Sequence, residues 1–95
     1  MAAYIIADVD VTDPVKYEDY KKLTPGAIAK HGGRFVARGG QTATLEGNWK
    51  PGRVVIIEFP TFEQARNFYT SVEYTAARRA RAGAATFRMI AVDGG

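Results

Sequence analysis

The sequence predicts an α+β fold in which two helices lie on one face of a four-stranded antiparallel sheet, in the split βαβ or ferredoxin-like order. Three observations predict it. Hydrophobic periodicity alternates between the strand and helix repeats in the order strand, helix, strand, strand, helix, strand. The segment "RVVIIEF" (Arg53–Phe59) is an almost continuous apolar run, as a central strand requires. The chain has 95 residues, which makes one domain, 1–95, with no room for a second.

The first strand is "YIIADVDV" (Tyr4–Val11), whose alternation places Tyr4, Ile6, Asp8 and Asp10 on one face. Asp13 as N-cap and Pro14 at the first helical position open a helix in which Tyr17, Tyr20 and Leu23 form the stripe facing the sheet. Pro25, with Thr24 before it, predicts a kink or restart, and the helix ends at His31 before Gly32 and Gly33. A long second strand follows, from about Arg34 to Glu46, broken by Gly39 and Gly40. Beyond the loop "GNWKPG" lies the central strand. The second helix opens at Thr61 with Gln64 at capping-box spacing. Its inner face is Phe62, Ala65, Phe68 or Tyr69, and Val72, with a break expected near Ser71. It stops at Gly83, and "ATFRMIAV" is the fourth strand.

Two helices cover only one side of such a sheet. The other side carries apolar residues of strands one to three and calls for a partner, most simply a second copy of the chain. A glycine pair inside a strand marks a bulge or bend, so Gly39 and Gly40 are expected to turn the long strand toward the partner protomer or a pocket mouth.

Composition narrows the chemistry. With no cysteine there is no disulfide, thiolate nucleophile or thiolate metal site, which suits a reducing cytoplasm. The early apolar run "AAYIIA" has no basic leader and is too short to span a bilayer, so no membrane partner is expected. The net charge of +3 resides in residues 78–95, where Arg78, Arg79, Arg81 and Arg88 face only Asp93. Three of these arginines fall where they complement a helix dipole. The strands lack the aromatic pattern of RNA-binding sheets, so no nucleic-acid partner is expected.

The candidate site residues each admit two readings. His31, the only histidine, can act as a general base or cap its helix C-terminus. Arg38 can clamp an anionic ligand through its fork, or pair with Glu58 across the sheet, as Glu46 can pair with Arg53. Tyr69, Ser71 and Tyr74 bracket the helix break, where freed N–H groups and hydroxyls can bind an oxyanion or simply pack and cap. A metal site on His31 would draw on Asp8, Asp10 and Glu58, without any spacing motif; no metal and no cofactor is expected.

The segments "AYIIADVDVTDPVKYEDY", "GGRFVARGG", "LEGNWKPGRVVIIEFP" and "FYTSVEYTAARRAR" together resemble the small bacterial family called domain of unknown function 1330. That family is similar to the dimeric α+β barrel superfamily, whose members include cofactor-free oxygenases, haem-degrading enzymes, isomerases and ligand-binding proteins. The resemblance implies a homodimer with a small-molecule pocket in each protomer between sheet and helices. Two functions follow: a binding protein for a small organic molecule, an anion if Arg38 is its clamp, or a cofactor-independent oxygenase or isomerase acting on an enolisable or phenolic compound. The second needs His31 and Arg38 to face one cavity.

Overall fold

The computed structural model describes every residue from Met1 to Gly95. Strand β1 (Ala3–Val11) leads into helix α1 (Pro14–Lys30). Strands β2 (Arg34–Arg38) and β3 (Arg53–Phe59), helices α2 (Phe62–Thr70) and α3 (Val72–Ala80), and strand β4 (Ala85–Asp93) complete the chain. The strands form one antiparallel sheet in the order β2-β3-β1-β4. This is the ferredoxin-like arrangement, with its second helix divided at Ser71.

The strand repeat of two decides which side chains enter the core. In β1, Ala3, Ile5, Ala7 and Val9 are buried beneath the helices, and Ile57 and Phe59 of β3 join them. Tyr17, Tyr20, Ala27 and Ile28 of α1, Ala65 and Phe68 of α2, and Tyr74 and Ala77 of α3 close over them. Each large apolar side chain buried here stabilises the fold by roughly 1.5–3 kcal/mol relative to exposure. At the heart of the layer, the Phe68 and Tyr74 rings lie 4.4 Å apart. The Tyr20 and Tyr74 hydroxyls share a 2.6 Å hydrogen bond that joins α1 to α3.

The helices start as expected: Asp13 accepts from the Lys16 N–H, and Thr61 accepts from the Gln64 N–H. Three details differ. Pro25 neither ends nor restarts α1, which runs through it as one helix, and beside it the Thr24 hydroxyl turns inward and donates to the Tyr20 carbonyl at 2.7 Å. Thr24 is therefore buried and Leu23 faces water, displacing the expected Tyr17-Tyr20-Leu23 stripe. Val72 is 81% exposed, because the restart at Ser71 resets the helical phase and turns Tyr74 and Ala77 inward in its place.

The largest correction concerns β2, which ends at Arg38 and does not continue to Glu46. The bulge is not at the glycine pair. It lies at Val36, where pairing passes from Phe35–Ile57 to Ala37–Ile56. The extra residue changes the strand's phase, so Phe35 and Arg38 both point to the helix side. Gly39 then stops the strand with φ +69°, its N–H donating to the Val54 carbonyl. A Cβ at Gly39 would lie 2.7 Å from the Arg53 guanidinium, so the missing side chain makes room for that arginine.

On the other sheet face, Tyr4, Ile6, Val54, Ile56, Val36, Ile90 and Val92 form an apolar surface that no helix covers; Ile90 is 61% exposed. Polar clusters bound it. Asp8 accepts from Arg88 at 2.8 Å, from the Trp49 indole at 3.1 Å and from the Gly52 N–H at 2.8 Å, which ties the β2–β3 loop to this face. Glu58 accepts from Arg34 at 2.8 Å and from the Tyr4 hydroxyl at 3.1 Å. No helix is long and apolar enough to cross a membrane.

Replacing Gly39 with valine forces a β-branched residue to positive φ and drives it into Arg53. The expected loss is about 1–3 kcal/mol in urea unfolding. Gly40, with open space around its Cα and no positive φ, should accept valine within about 0.5 kcal/mol. Equal losses at the two positions would contradict this assignment.

Candidate functional site

The space between the helices and the sheet is divided by two side chains of β4, Phe87 and Met89, which line the cavities on either side of it. Toward α2 lies a cleft of about 440 Å³, within the range of small-molecule sites. Its walls are apolar, built from Ile5, Ala65, Phe87, Met89 and Ala91. Arg66, Tyr69, Thr70 and Arg81 add the polar groups.

Arg81 sits just beyond α3, where the chain turns back toward β4. Its guanidinium lies 3.7 Å from the Phe87 ring centroid and 5.4 Å from that of Tyr20. Such stacking offsets part of the cost of burying the cation, but the in-plane N–H groups still need acceptors. The Arg81 Nε is buried and has no hydrogen-bond partner, the one buried side-chain nitrogen or oxygen in the chain of which this is true. Neither Arg81 nor Arg66 is in an ion pair.

Toward α1 lies a narrow cavity of about 30 Å³, room for about two water molecules. Tyr17, Tyr20, Phe35, Arg38 and Arg53 line it. The Arg38 guanidinium stacks 4.2 Å from the Phe35 centroid. Neither Arg38 nor Arg53 has a carboxylate partner. Burial pushes the Tyr17 phenol up, against the opposing pull of Arg53, Arg81 and Arg38, so three guanidiniums act on this one hydroxyl.

The residues singled out in the sequence do not converge. Arg38 lines the α1 cavity and Tyr69 the α2 cleft. Glu58 is on the opposite sheet face, paired with Arg34 and not with Arg38, because the Val36 bulge sends Arg38 to the helix side. Arg53 likewise forms no ion pair with Glu46. Ser71 caps α3: its hydroxyl accepts from the Tyr74 N–H and donates to the Phe68 carbonyl, so the helix break satisfies itself. Tyr74 is core, its hydroxyl bound to Tyr20.

His31 forms the C-cap of α1, and its Nε2 lies 2.9 Å from the Glu73 carboxylate, which Lys30 also approaches at 3.0 Å. It lines neither cavity, so His31 and Arg38 do not share one. Asp8, Asp10 and Glu58 are not gathered with it either. No group of three or more His, Asp or Glu side chains is placed to hold a metal ion.

With this geometry in place, comparison with known proteins gives a family. The model of a domain of unknown function, DUF1330, matches residues 2–95. The chain belongs to the DUF1330 family. No curated protein matches the sequence. Among solved structures, this DUF1330 chain is similar to RPA0582, a protein of unknown function from Rhodopseudomonas palustris: TM-score 0.73, 19% identity, 99% of this chain and 82% of the other covered. It is also similar to SnoaB, a cofactor-independent oxygenase from Streptomyces nogalater, with TM-score 0.66, 16% identity and coverage of 99% and 93%. A dimeric protein of unknown function and ferredoxin-like fold from Bacteroides fragilis matches with TM-score 0.59, 14% identity and coverage of 97% and 95%. At these identities the likeness is one of fold alone.

Among the cavity-lining residues of this DUF1330 chain, sequence reasoning did not single out Arg66, Phe87 or Met89, and gave Arg53 only as a partner for Glu46 and Arg81 only as part of the basic cluster. Arg53 was within reach: counting back by twos from the buried Phe59 through Ile57 and Val55 puts it on the helix side. Arg81 was not, since its place depends on the turn at Gly83.

Hydrogen bonds from His31 and Lys30 hold the Glu73 carboxyl at about 2, below its ordinary value of 4.5. Because the folded-state value is depressed, its stabilising effect is complete above pH 4.5 and is lost as pH falls toward 2. Glu73→Gln should therefore lower the Tm at pH 7, and the gap to the parent should close as pH falls through that window. A gap independent of pH would remove the ionic role.

Proposed function

We propose that this DUF1330 chain is a homodimeric binding protein for a small organic acid, held in the cleft between α2 and β4. The observation that carries the reading is Arg81: a half-buried guanidinium without an ion-pair partner, its Nε buried and unbonded, at the wall of a mostly apolar cleft of about 440 Å³. A carboxylate in the cleft gives the guanidinium a counter-charge, and an apolar body fits against Ile5, Phe87 and Met89. Arg66 reinforces the positive end, and Tyr69 and Thr70 add hydroxyl groups at the cleft wall.

Dimerisation is proposed through the helix-free sheet face. The molecule is a slab 32 × 31 × 17 Å in extent, and its broad face has room for the roughly 800 Å² per partner of a standard interface. The apolar residues of the open face supply the driving force. The dimeric ferredoxin-like neighbour from Bacteroides fragilis supports the same reading.

An oxygenase reading follows from SnoaB by fold alone and requires a base beside the substrate. Tyr69 is the only phenol lining the cleft, and the single histidine is engaged with Glu73. The geometry favours binding.

Calorimetric titration with benzoate and hexanoate should show binding to the parent protein and at least a tenfold loss in Arg81→Met, which keeps the stem but removes the fork. Unchanged affinity in that variant would overturn the reading. Light scattering at micromolar concentration should give twice the chain mass for the parent and the single mass for Val92→Glu, on the open face. A parent monomer would defeat the dimer.

A further inference from the structure

Four arginines line the two cavities between helices and sheet, Arg53 and Arg81 half-buried and Arg38 and Arg66 exposed, and none has an acidic partner within the chain. Arg66 and Arg81 stand on the α2 side of Phe87 and Met89; Arg38 and Arg53 stand on the α1 side. The chain's ion pairs form on the open sheet face, at the α1–α3 junction and on α1, where Lys21, which also lines the α1 cavity, pairs with Glu18. For the half-buried pair, Arg53 and Arg81, withdrawal from water without a counter-charge is costly, and an anion entering the cavities offsets that cost.

The backbone is specially shaped to bring the second pair there. The bulge at Val36 turns Arg38 to the helix side, and the bare Cα of Gly39 lets the Arg53 guanidinium lie against it. The cavity that they line is about 30 Å³, the size of two water molecules or of the two oxygens of one carboxylate, and too small for an organic body. Whatever body belongs to such a head group must lie beyond the cavity wall. The wall shared with the larger cleft is Phe87 and Met89, and Met89 has an unbranched, readily rearranged side chain.

From this we infer that the two cavities are the two ends of one binding channel, parted by Phe87 and Met89, and that its ligand carries an acidic group at each end of an apolar body. One carboxylate meets Arg81 and Arg66; the other meets Arg38 and Arg53, with the Tyr17 hydroxyl beside it. This rests on the proposed acid-binding cleft and names the ligand class for it: a dianion with an apolar spine.

The test is calorimetric titration of the intact protein with matched pairs of acids, benzoate against terephthalate and hexanoate against straight-chain dicarboxylates of increasing length. At one spacer length the diacid should bind at least tenfold tighter than its monoacid. Arg38→Met and Arg53→Met should each abolish that gain while leaving monoacid affinity unchanged, and Arg81→Met should weaken both ligands. Met89→Ala, which thins the partition, should strengthen diacid binding selectively. Arg38 lies on an edge strand and its removal leaves no unpaired acid, so that variant keeps the fold, as a circular-dichroism melt will verify. If monoacids bind through Arg81 but no diacid binds tighter, the channel is refuted and the simple cleft stands. If no acid binds in an Arg81-dependent way, both fall. A diacid gain that survives in Arg38→Met and Arg53→Met refutes the second anchor.

Discussion

The constraint on which this structure depends is that its helices cover only one face of the sheet. From it follows a strict division by strand parity. In β1, odd residues enter a core shared with three helices, and even residues face outward. The candidates on the strands are sorted by the same rule. Glu58 and Asp8 go to the open face, while Arg53 and Phe87 go to the helix side, and no side-chain rotation can exchange them. The bulge at Val36 is the one place where the rule is reset, and it moves an arginine from one chemical environment to the other.

The division is also electrostatic. The outer face holds its charges in pairs, Arg34 with Glu58 and Arg88 with Asp8. The side toward the helices holds guanidiniums without carboxylates. Trp49, Arg88 and the Gly52 N–H together hold the Asp8 carboxyl below its usual range, so that charge is fully engaged on its own face. Paired charges pin a surface in place, whereas unpaired cations around an apolar space leave a demand that something else must meet.

Much of the fold was legible in the sequence because it rests on local patterns. The N-caps Asp13 and Thr61, the alternation in β1 and β4, and the break at Ser71 are each set by neighbouring residues and were found. Errors arose where a distant contact decided the outcome. Gly39 and Gly40 lie in a segment that suits a strand, yet the strand stops there. Gly39 leaves the strand conformation at φ +69°, and a guanidinium fourteen positions away occupies the space that a Cβ there would need. Pro25 in isolation signals a kink or restart, but burial of Tyr17, Tyr20, Ala27 and Ile28 on either side of it holds α1 as one helix. The site was less legible than the fold for the same reason. Of the two readings of Arg38, the pair with Glu58 does not form, since the bulge that turns Arg38 to the helix side leaves no mark in a single sequence. His31 went to the helix cap that its position before two glycines suggested.

The tie between Trp49 and Asp8 gives the open face a voice of its own. Trp49 is the chain's only tryptophan, half-exposed, and its indole N–H is fixed to a strand residue in the centre of the sheet. The intrinsic fluorescence of this protein therefore originates beside the surface opposite the cavities. Whatever settles on that surface, or loosens the loop between β2 and β3, changes the polarity around one indole ring, while events inside the arginine-lined space reach it only through the thickness of the sheet.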